Sequence, residues 1–346
     1  MKYLTITVPC FNSQDYIKRC MDSLLVGGSD VEIIIVDDGS TDKTAEIADK
    51  YKEQYPDIVR VVHKENGGHG SGVNKGLELA TGMYFKVVDS DDWLDSNSYK
   101  KLINKIKMFC KKENSLEKRR LPDLFVCNYI YDHFMEGVQK PMNYRNVFPV
   151  EKICGWKNIG RFRVSQYLIM HALVFRTKIL QKAGVKLPEH MFYVDNLFAN
   201  QPLPYVKYIY YMDIGLYHYF LGREDQSVNE KMLIKRIDQQ IYVTKLVIQS
   251  FNYKKIKKQY PKLEKYLCRN GSIMLAISSI HLLLMQTKEA KQKRRALWKE
   301  IKEYDRGLYY RFRYQMISGF TYLPGSIGDY LTLWGYKAAR KIVKFQ

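Results

Sequence analysis

The six cysteines of this chain form no CxxC pair and no spacing typical of a metal site. We therefore expect reduced, mostly buried thiols of a cytoplasmic protein. Long apolar runs are also missing. The longest, residues 273–285, has 13 residues, contains serines and a histidine, and is too short to cross a bilayer. The opening segment, MKYLTITVPCF, has a single lysine and predicts a strand rather than a signal peptide.

Acidic residues are scarce in the C-terminal third of the chain. The net charge of +20 comes almost entirely from residues 231–346, which hold 25 Lys and Arg against 7 Asp and Glu. Such a block indicates an anionic partner, either phospholipid or nucleic acid. A helical surface that is simply well solvated explains it equally well. With 346 residues, 46% of them hydrophobic, the chain predicts two or three folded units.

The N-terminal third alternates between apolar strands and helical segments. YLTITVPCF, VEIIIVDD, VRVVHKEN and GMYFKVVD are the predicted strands, and amphipathic stretches of about ten residues separate them. The strands are nearly continuous in apolar residues, which indicates helices on both faces. The sequence thus predicts a doubly wound α/β domain with a mostly parallel sheet.

Polar segments follow each of the four predicted strands: PCFN, DDGSTD, HKENGGHGSG and DSDDW. In open α/β sheets the carboxyl ends of the strands form the ligand site. Turn propensity explains one such loop, but not four on one edge. Asp89, Asp91, Asp92 and Asp95 are so close in sequence that their charges require a cation or hydrogen-bond donors.

In this order and spacing, VPCFN, VDDGSTDKT, NGGHGSGVNKGLELATG and VDSDDWLD resemble a family 2 glycosyltransferase with a GT-A fold. The resemblance is close over residues 1–110 and looser to residue 230. It implies a nucleotide-sugar-binding half (1–110), an acceptor-binding and catalytic half (111–230), and a basic helical region (231–346). It also implies inverting, metal-dependent transfer of a hexose or N-acetylhexosamine from a UDP-sugar to a saccharide, lipid-linked or protein-linked hydroxyl.

The resemblance gives the acidic segment a function. A divalent cation, Mn²⁺ or Mg²⁺, can join carboxylates to a pyrophosphate through hard oxygen ligands. In the family, the DSD signature places Asp89 near the ribose and metal and Asp91 on the metal, with Asp92 and His218 as further candidate ligands. The alternative is a group of helix N-cap residues, which fits Asp95 best.

By the same resemblance, Asp38 accepts a hydrogen bond from uracil, Asp37 lies near the base or ribose, and Pro9 and Phe11 form the floor beneath the base. The glycines of ENGGHGSG suit close approach of a ligand to the backbone. An arginine usually precedes Asn74 but is Val73 here, so Lys64 or His69 would replace it. The remaining donor-binding candidates are Asn66, Gly67, Asn74, Asp89, Ser90, Arg223, Gln226 and Ser227.

Inverting transfer needs a base within hydrogen-bond reach of the acceptor oxygen. The resemblance assigns this role to Asp195 in FYVDNLF, where Val194 replaces the usual glutamate. A helix cap is the alternative function of Asp195. The later segment YHYFLGREDQSV is expected to close over the donor, with Arg223 on the phosphates.

The C-terminal segment predicts an amphipathic helix. One face can hold Ile327, Leu331, Trp334, Ala338 and Phe345, and the other holds most of Lys337, Arg340, Lys341 and Lys344. This pattern suits a helix lying in a membrane interface. Periodicity alone favours a core helix with a basic outer face at least as strongly. We expect a cytoplasmic protein, peripheral on the inner face of the cell membrane, and leave a homo-oligomer open.

Two other functions are open at this point. A nucleotidyltransferase also uses metal and aspartates on an α/β sheet, but it normally has a glycine-rich, lysine-bearing loop after the first strand, where this chain has PCFNSQD. A nucleotide-sugar-binding module without activity is the second. No nucleic-acid partner is expected, because no base-stacking module is recognisable.

Overall fold

The computed structural model describes residues 1–113, 120–133, 136–163, 165–222 and 230–343, without the side chains of 112–113 and 339–343. The chain divides into two compact units, Met1–Gly222 and Arg223–Gln346. The division of residues 1–230 into a donor half and an acceptor half stays a prediction.

The first unit begins with four parallel strands in the order β3-β2-β1-β4. These are β1 (Leu4–Cys10), β2 (Val31–Asp37), β3 (Val59–His63) and β4 (Tyr84–Val87), separated by α1 (Ile17–Leu25), α2 (Thr44–Gln54) and α3 (His69–Leu79). Every residue of β1, β2 and β4 is buried, as predicted for strands covered on both faces. The predicted parallel α/β arrangement is confirmed for this part of the chain.

The rest of the sheet is mixed rather than parallel. β4 pairs antiparallel with β9 (Leu173–Arg176), and β9 pairs antiparallel with β6 (Leu124–His133). The sheet continues through β10 (Ile209–Phe220), parallel to β6, to β5 (Trp93–Leu94). The remaining elements of this unit are β7 (Val138–Met142), β8 (Ile153–Cys154), α4 (Ser96–Glu113), α5 (Thr177–Ala183) and α6 (Asp195–Asn200). β9 therefore enters the sheet beside β4, out of chain order.

A buried carboxylate joins three segments at the edge of the sheet opposite the predicted site. Glu32 on β2 accepts hydrogen bonds from the Thr5 hydroxyl on β1 (2.7 Å), from the Thr81 amide (2.9 Å) and from Arg60 on β3 (3.1 Å). Burial raises the pKa of Glu32, but these donors outweigh burial and the net shift of the pKa is downward.

The second unit is helical. It contains α7 (Glu230–Lys235), α8 (Ile237–Gln249), α9 (Tyr253–Gln259), α10 (Pro261–Leu284), α11 (Lys288–Tyr304), α12 (Arg306–Tyr314) and α13 (Gly325–Val343), with a 3₁₀ helix at Ile317–Thr321. Among the described residues, α10 is the helix long and apolar enough to cross a membrane, yet 72% of its apolar window is buried inside the protein. The apolar run at residues 273–285 thus lies mostly within this longer helix. Its burial, rather than its length, indicates that it is a core segment of the second unit.

Candidate active site

The loops that follow the parallel strands meet at one edge of the sheet. The Asp38 amide after β2 donates to the Cys10 carbonyl at the end of β1 (2.9 Å). The hydroxyls of Ser13, after β1, and Ser90, after β4, lie 2.7 Å apart. The expected convergence of polar loops at the carboxyl ends of the strands is therefore present in the structure.

Asp38 shapes the glycine-rich turn at the start of α3. Its carboxylate accepts hydrogen bonds from the amides of Gly67 (2.9 Å) and Gly68 (2.6 Å) and an ion pair from Lys64 (2.8 Å). The Asn66 side chain adds a bond to the Asp38 carbonyl. A carboxylate has about four acceptor positions, so these three donors leave room for one more. Recognition of uracil by Asp38 stays a prediction. Lys64, a candidate to replace the missing arginine before Asn74, is engaged with Asp38.

The other predicted base-binding residues, Asp37, Pro9 and Phe11, differ in their exposure. The Asp37 carboxylate is buried, accepts a bond from the Ser40 amide (3.1 Å), and pairs with the His63 ring (2.9 Å). The bond to Asp37 raises the pKa of His63. Phe11 is exposed at the end of β1, while Pro9 is buried. The ring of Phe11 is thus accessible to a stacking partner, whereas Pro9 is not.

A protein segment packs against the glycines of the turn, where the sequence predicts a ligand. A Cβ atom at Gly70 would lie 2.6 Å from the Pro188 carbonyl oxygen, and one at Gly68 would lie 3.1 Å from the His190 backbone. The His190 amide also donates to the Gly67 carbonyl (2.6 Å). The loop at residues 187–191 therefore occupies the side of the turn where side chains at Gly68 and Gly70 would lie, and a ligand contact at this turn stays a prediction.

Asn74 holds the same loop. Its amide nitrogen donates to the Leu187 carbonyl and its amide oxygen accepts from the Leu187 amide, both at 2.8 Å. The loop leads directly into α6, which begins at Asp195. Asn74, a donor-binding candidate from the sequence, thus connects α3 to the segment that carries the candidate base, and a direct bond from Asn74 to the donor stays a prediction.

His69 and Asp89 form an ion pair in the acidic segment, with 2.8 Å between the His69 Nε2 and the Asp89 Oδ1. Burial lowers the pKa of His69, but Asp89 outweighs burial and the net shift is upward. Burial raises the pKa of Asp89, and the charge of His69 reverses this shift. The pair therefore favours a protonated imidazole beside an ionised carboxylate.

Asp92 is fully buried and bonded through both oxygens. The Tyr217 hydroxyl and the Phe220 amide, both on β10, donate to Oδ2 and Oδ1 of this carboxylate. Burial and then the charges of Asp91 and Asp89 raise the pKa of Asp92 well above its usual value. Asp92 thus fastens the acidic segment to β10.

His171, which lies within the predicted acceptor half (111–230), joins this group. One ligand atom each from Asp89, Asp92 and His171 lie within 4.8 Å of one another. Burial lowers the pKa of His171 to about 4, so its ring is neutral at pH 7, and its Nδ1 is buried without a hydrogen-bond partner. An orphaned neutral imidazole nitrogen beside two carboxylates fits a divalent cation such as Mn²⁺.

His218 and Asp91 have other surroundings. The His218 Nδ1 pairs with Asp132 at 2.9 Å, and its ring stacks on Trp93. Within the described part of the chain, the cluster at Asp89 and Asp92 includes His171 and not His218. The side chain of Asp91 is partly exposed, and its backbone carbonyl accepts a bond from Arg19 (2.8 Å). Arg223, Gln226 and Ser227 lie outside the described residues.

Asp195 is the first residue of α6 and is partly exposed. The N-cap of α6 is Val194, so Asp195 does not act as the helix cap. Burial raises the pKa of Asp195, against the opposing charge of His69, while Asp89 adds to the rise. The candidate base is thus within electrostatic reach of the acidic segment.

Comparison with known families agrees with this arrangement. Residues 5–109 match the family model described as glycosyl transferase family 2. This segment is a family 2 glycosyltransferase domain. It is 41% identical over 101 residues to the uncharacterized glycosyltransferase YibD of Escherichia coli, a match that covers 29% of each chain. The chain therefore spans under a third of that relative.

Two longer matches extend past the family 2 domain. The putative glycosyltransferase EpsH of Bacillus subtilis is 24% identical over 289 residues, which is 81% of this chain and 76% of EpsH. The S. aureus TarS 1–349 structure, solved with UDP-GlcNAc, superposes with a TM-score of 0.67 at 18% identity and covers 98% of this chain and 92% of TarS 1–349. The predicted GT-A fold with a helical C-terminal region is confirmed.

Proposed function

We propose that this protein is an inverting glycosyltransferase that transfers a hexose or N-acetylhexosamine from a UDP-sugar to a hydroxyl group. The observation that carries the proposal is the position of Asp195. A loop bonded to the glycine-rich turn brings this carboxylate into the electrostatic field of Asp89 and His69 at the carboxyl edge of the sheet. Its raised pKa is typical of a general base.

In the reaction, Asp195 takes the proton of the acceptor hydroxyl as that oxygen attacks the anomeric carbon. The bond between the anomeric carbon and the β-phosphate oxygen breaks, and its electron pair leaves with UDP. Attack opposite the leaving group inverts the configuration. The proton ends on Asp195, which returns it to water after the product leaves.

The donor is held through its base and its pyrophosphate. The exposed ring of Phe11 stacks on uracil, and the remaining acceptor position of Asp38 binds the uracil N3–H. The UDP-GlcNAc complex of TarS supports a UDP-sugar as the donor class. Asp89, Asp91, Asp92 and His171 are the residues that would hold Mn²⁺ or Mg²⁺. Such a cation would neutralise the charge of the pyrophosphate.

The acceptor is a saccharide, lipid-linked or protein-linked hydroxyl in surface glycan assembly, a role that the family resemblance supports. We place the reaction in the cytoplasm, because all six cysteines are buried free thiols.

A donor panel tests the proposal. Release of UDP or GDP is measured from UDP-glucose, UDP-galactose, their N-acetyl forms and a GDP-sugar, with Mn²⁺ or with a chelator. Asp195→Asn is compared with Asp57→Asn, because Asp57 is exposed just before β3, at the opposite edge of the sheet. The proposal requires metal-dependent UDP release that Asp195→Asn loses and Asp57→Asn keeps.

The same panel, with one further arm that holds UTP and a sugar 1-phosphate, separates the alternatives. A binding module would bind UDP-sugars without releasing UDP in any arm. A nucleotidyltransferase would form pyrophosphate from UTP and a sugar 1-phosphate, a reaction that a glycosyltransferase does not catalyse. Either result would replace the proposed function.

A further inference from the structure

Helix α13 exposes its apolar side. Its large apolar side chains are open to solvent, with Ile327 77% exposed and Trp334 63% exposed. Phe320 in the preceding 3₁₀ helix is 72% exposed and adjoins α13, because its carbonyl accepts a bond from Thr332. We call the following five residues the apolar face: Phe320, Ile327, Tyr330, Leu331 and Trp334.

The opposite side of α13 attaches it to its own unit. Asp329 pairs with Lys291 (3.2 Å) and with Arg294 (2.8 Å), and the Tyr336 hydroxyl donates to Glu230 (2.7 Å). At 3.6 residues per turn, Asp329 and Tyr336 lie on one side of the helix and Trp334 lies on the other. The apolar residues are therefore not those that pack into the core, which was the alternative the sequence left open.

An exposed group of this composition marks an interaction surface. Scattered apolar residues are normal on proteins, but several large ones side by side indicate a partner. Tryptophan and tyrosine next to aliphatic side chains are typical of the boundary between lipid tails and headgroups. The apolar face contains both aromatic types, Trp334 and Tyr330, together with Ile327 and Leu331.

Charge distinguishes lipid from a second copy of this chain. Residues 231–346 carry 25 Lys and Arg against 7 Asp and Glu. Lys337 is exposed on α13, and Arg313 donates to the Gly319 carbonyl next to Phe320. Two copies joined through this face would bring two such positive surfaces together, whereas an anionic lipid surface would neutralise them.

We propose that the apolar face binds anionic phospholipid, with α13 lying in the plane of the membrane interface. Ile327, Leu331 and Trp334 enter the acyl boundary, and the surrounding Lys and Arg side chains contact the headgroups. The proposal does not depend on glycosyl transfer, since it concerns a surface of the helical unit and its binding alone.

Vesicle flotation tests this surface in the full chain. Vesicles of phosphatidylcholine with 30% phosphatidylglycerol are compared with pure phosphatidylcholine at low and high salt. The variant is Ile327→Ser with Trp334→Ser, and its matched control is Val138→Ser with Tyr205→Ser, which removes exposed apolar side chains from the first unit. Substitution is preferable to removing the helix, because truncation would also remove the anchors Asp329 and Tyr336.

We expect the wild type and the control to float with the anionic vesicles and the variant to bind them about tenfold or more weakly, since two inserted side chains are lost. Salt should weaken binding by screening. Lipids brominated in the acyl chain should quench tryptophan fluorescence in the wild type, and Trp334→Tyr should lose most of this quenching. Trp156 and Trp298 are buried, and the partly exposed Trp93 lies in the first unit between Arg19 and His218.

Three results would overturn the proposal. The first is no flotation of the wild type at low salt, and the second is equal flotation of the variant. The third is a wild type that sediments as an oligomer and a variant that sediments as a monomer, which would make the apolar face a protein interface. Unchanged thermal unfolding of the variant would show that lost flotation does not come from misfolding.

Discussion

Tyr217 donates its hydroxyl hydrogen to Asp92, and this bond joins strand β10 to the acidic segment that follows β4. Both residues are fully buried. The Tyr217 ring also stacks on His171, with ring centroids 4.4 Å apart. The Asp89 amide donates to the same hydroxyl (3.2 Å), so this one tyrosine contacts all three residues of the candidate metal cluster.

Tyr217→Phe should lower the free energy of unfolding by about 1–3 kcal/mol, because it leaves a buried carboxylate without one of its donors. Denaturant unfolding measures this change. Tyr205→Phe, a substitution at an exposed tyrosine of the same unit, is the control. Equal stability of the two variants would mean that the hydrogen bond to Asp92 makes no net contribution to the free energy of unfolding.

Asp195→Asn should reduce turnover by roughly 10²–10⁴, the range assigned to acid–base catalysis. Affinity for the UDP-sugar should stay within a few-fold, because Asp195 acts on the acceptor. Steady-state kinetics and titration with UDP separate the two quantities. A collapse of donor affinity would instead make Asp195 a binding residue.

His171→Asn should weaken Mn²⁺ binding by about tenfold or more in the presence of UDP, by analogy with the loss of residues around metal sites. Electron paramagnetic resonance of free Mn²⁺ reports the affinity directly, without any need for activity. His190→Asn, at an exposed histidine, should bind Mn²⁺ like the wild type. If both variants bind Mn²⁺ normally, His171 is not a ligand.

Gly70→Ala should impair both folding and transfer, because the added Cβ would lie 2.6 Å from the Pro188 carbonyl oxygen and displace the loop that leads to Asp195. Overpacking of this kind typically costs about 1–3 kcal/mol. A Cβ at Gly335 meets no atom within 4 Å, so Gly335→Ala is the matched helical substitution and should be neutral or stabilising. Thermal unfolding and transfer assays of both variants decide between these outcomes.

Glu32→Gln should destabilise the protein at pH 7 and do so less as the pH falls. The pKa of Glu32 is lower in the folded state, so its contribution is present above the unfolded pKa and is lost as the pH drops through the folded pKa. Melting temperatures of wild type and variant should therefore converge as the pH falls below 4.5, the usual pKa of a glutamate, and on through the lower pKa of the folded state. A gap that is constant with pH would show that the charge of Glu32 is unimportant.

The local elements of the first unit could be predicted from the sequence, and the contacts between distant segments could not. Continuous apolar strands followed by polar loops identify β1 to β4 and their common edge. The position of His171 beside Asp89 and Asp92 could not be predicted. It depends on the pairing of β9 with β4 out of chain order, for which the residues around His171 give no local signal.

The glycine-rich turn shows a second limit of sequence reasoning. Glycine indicates that something approaches the backbone closely, but it does not identify what approaches. The sequence predicts a ligand beside Gly68 and Gly70, and the neighbour that the structure shows at these two glycines is the loop at residues 187–191. In α13, Ile327, Leu331 and Trp334 share one side as predicted, but periodicity could not say which side faces the core. Of the predicted basic side, Lys337 is exposed, and the side chains of Arg340 and Lys341, together with Lys344 and Phe345, lie outside the described residues.

The pair of hydrogen bonds between the Asn74 side chain and the Leu187 backbone has a consequence for protein engineering. In this chain, a transplanted segment that includes residues 187–191 must fit the surface of α3, with glycine at position 70 and an amide side chain at position 74. A chimera that takes its acceptor half from one parent should therefore take α3 from the same parent.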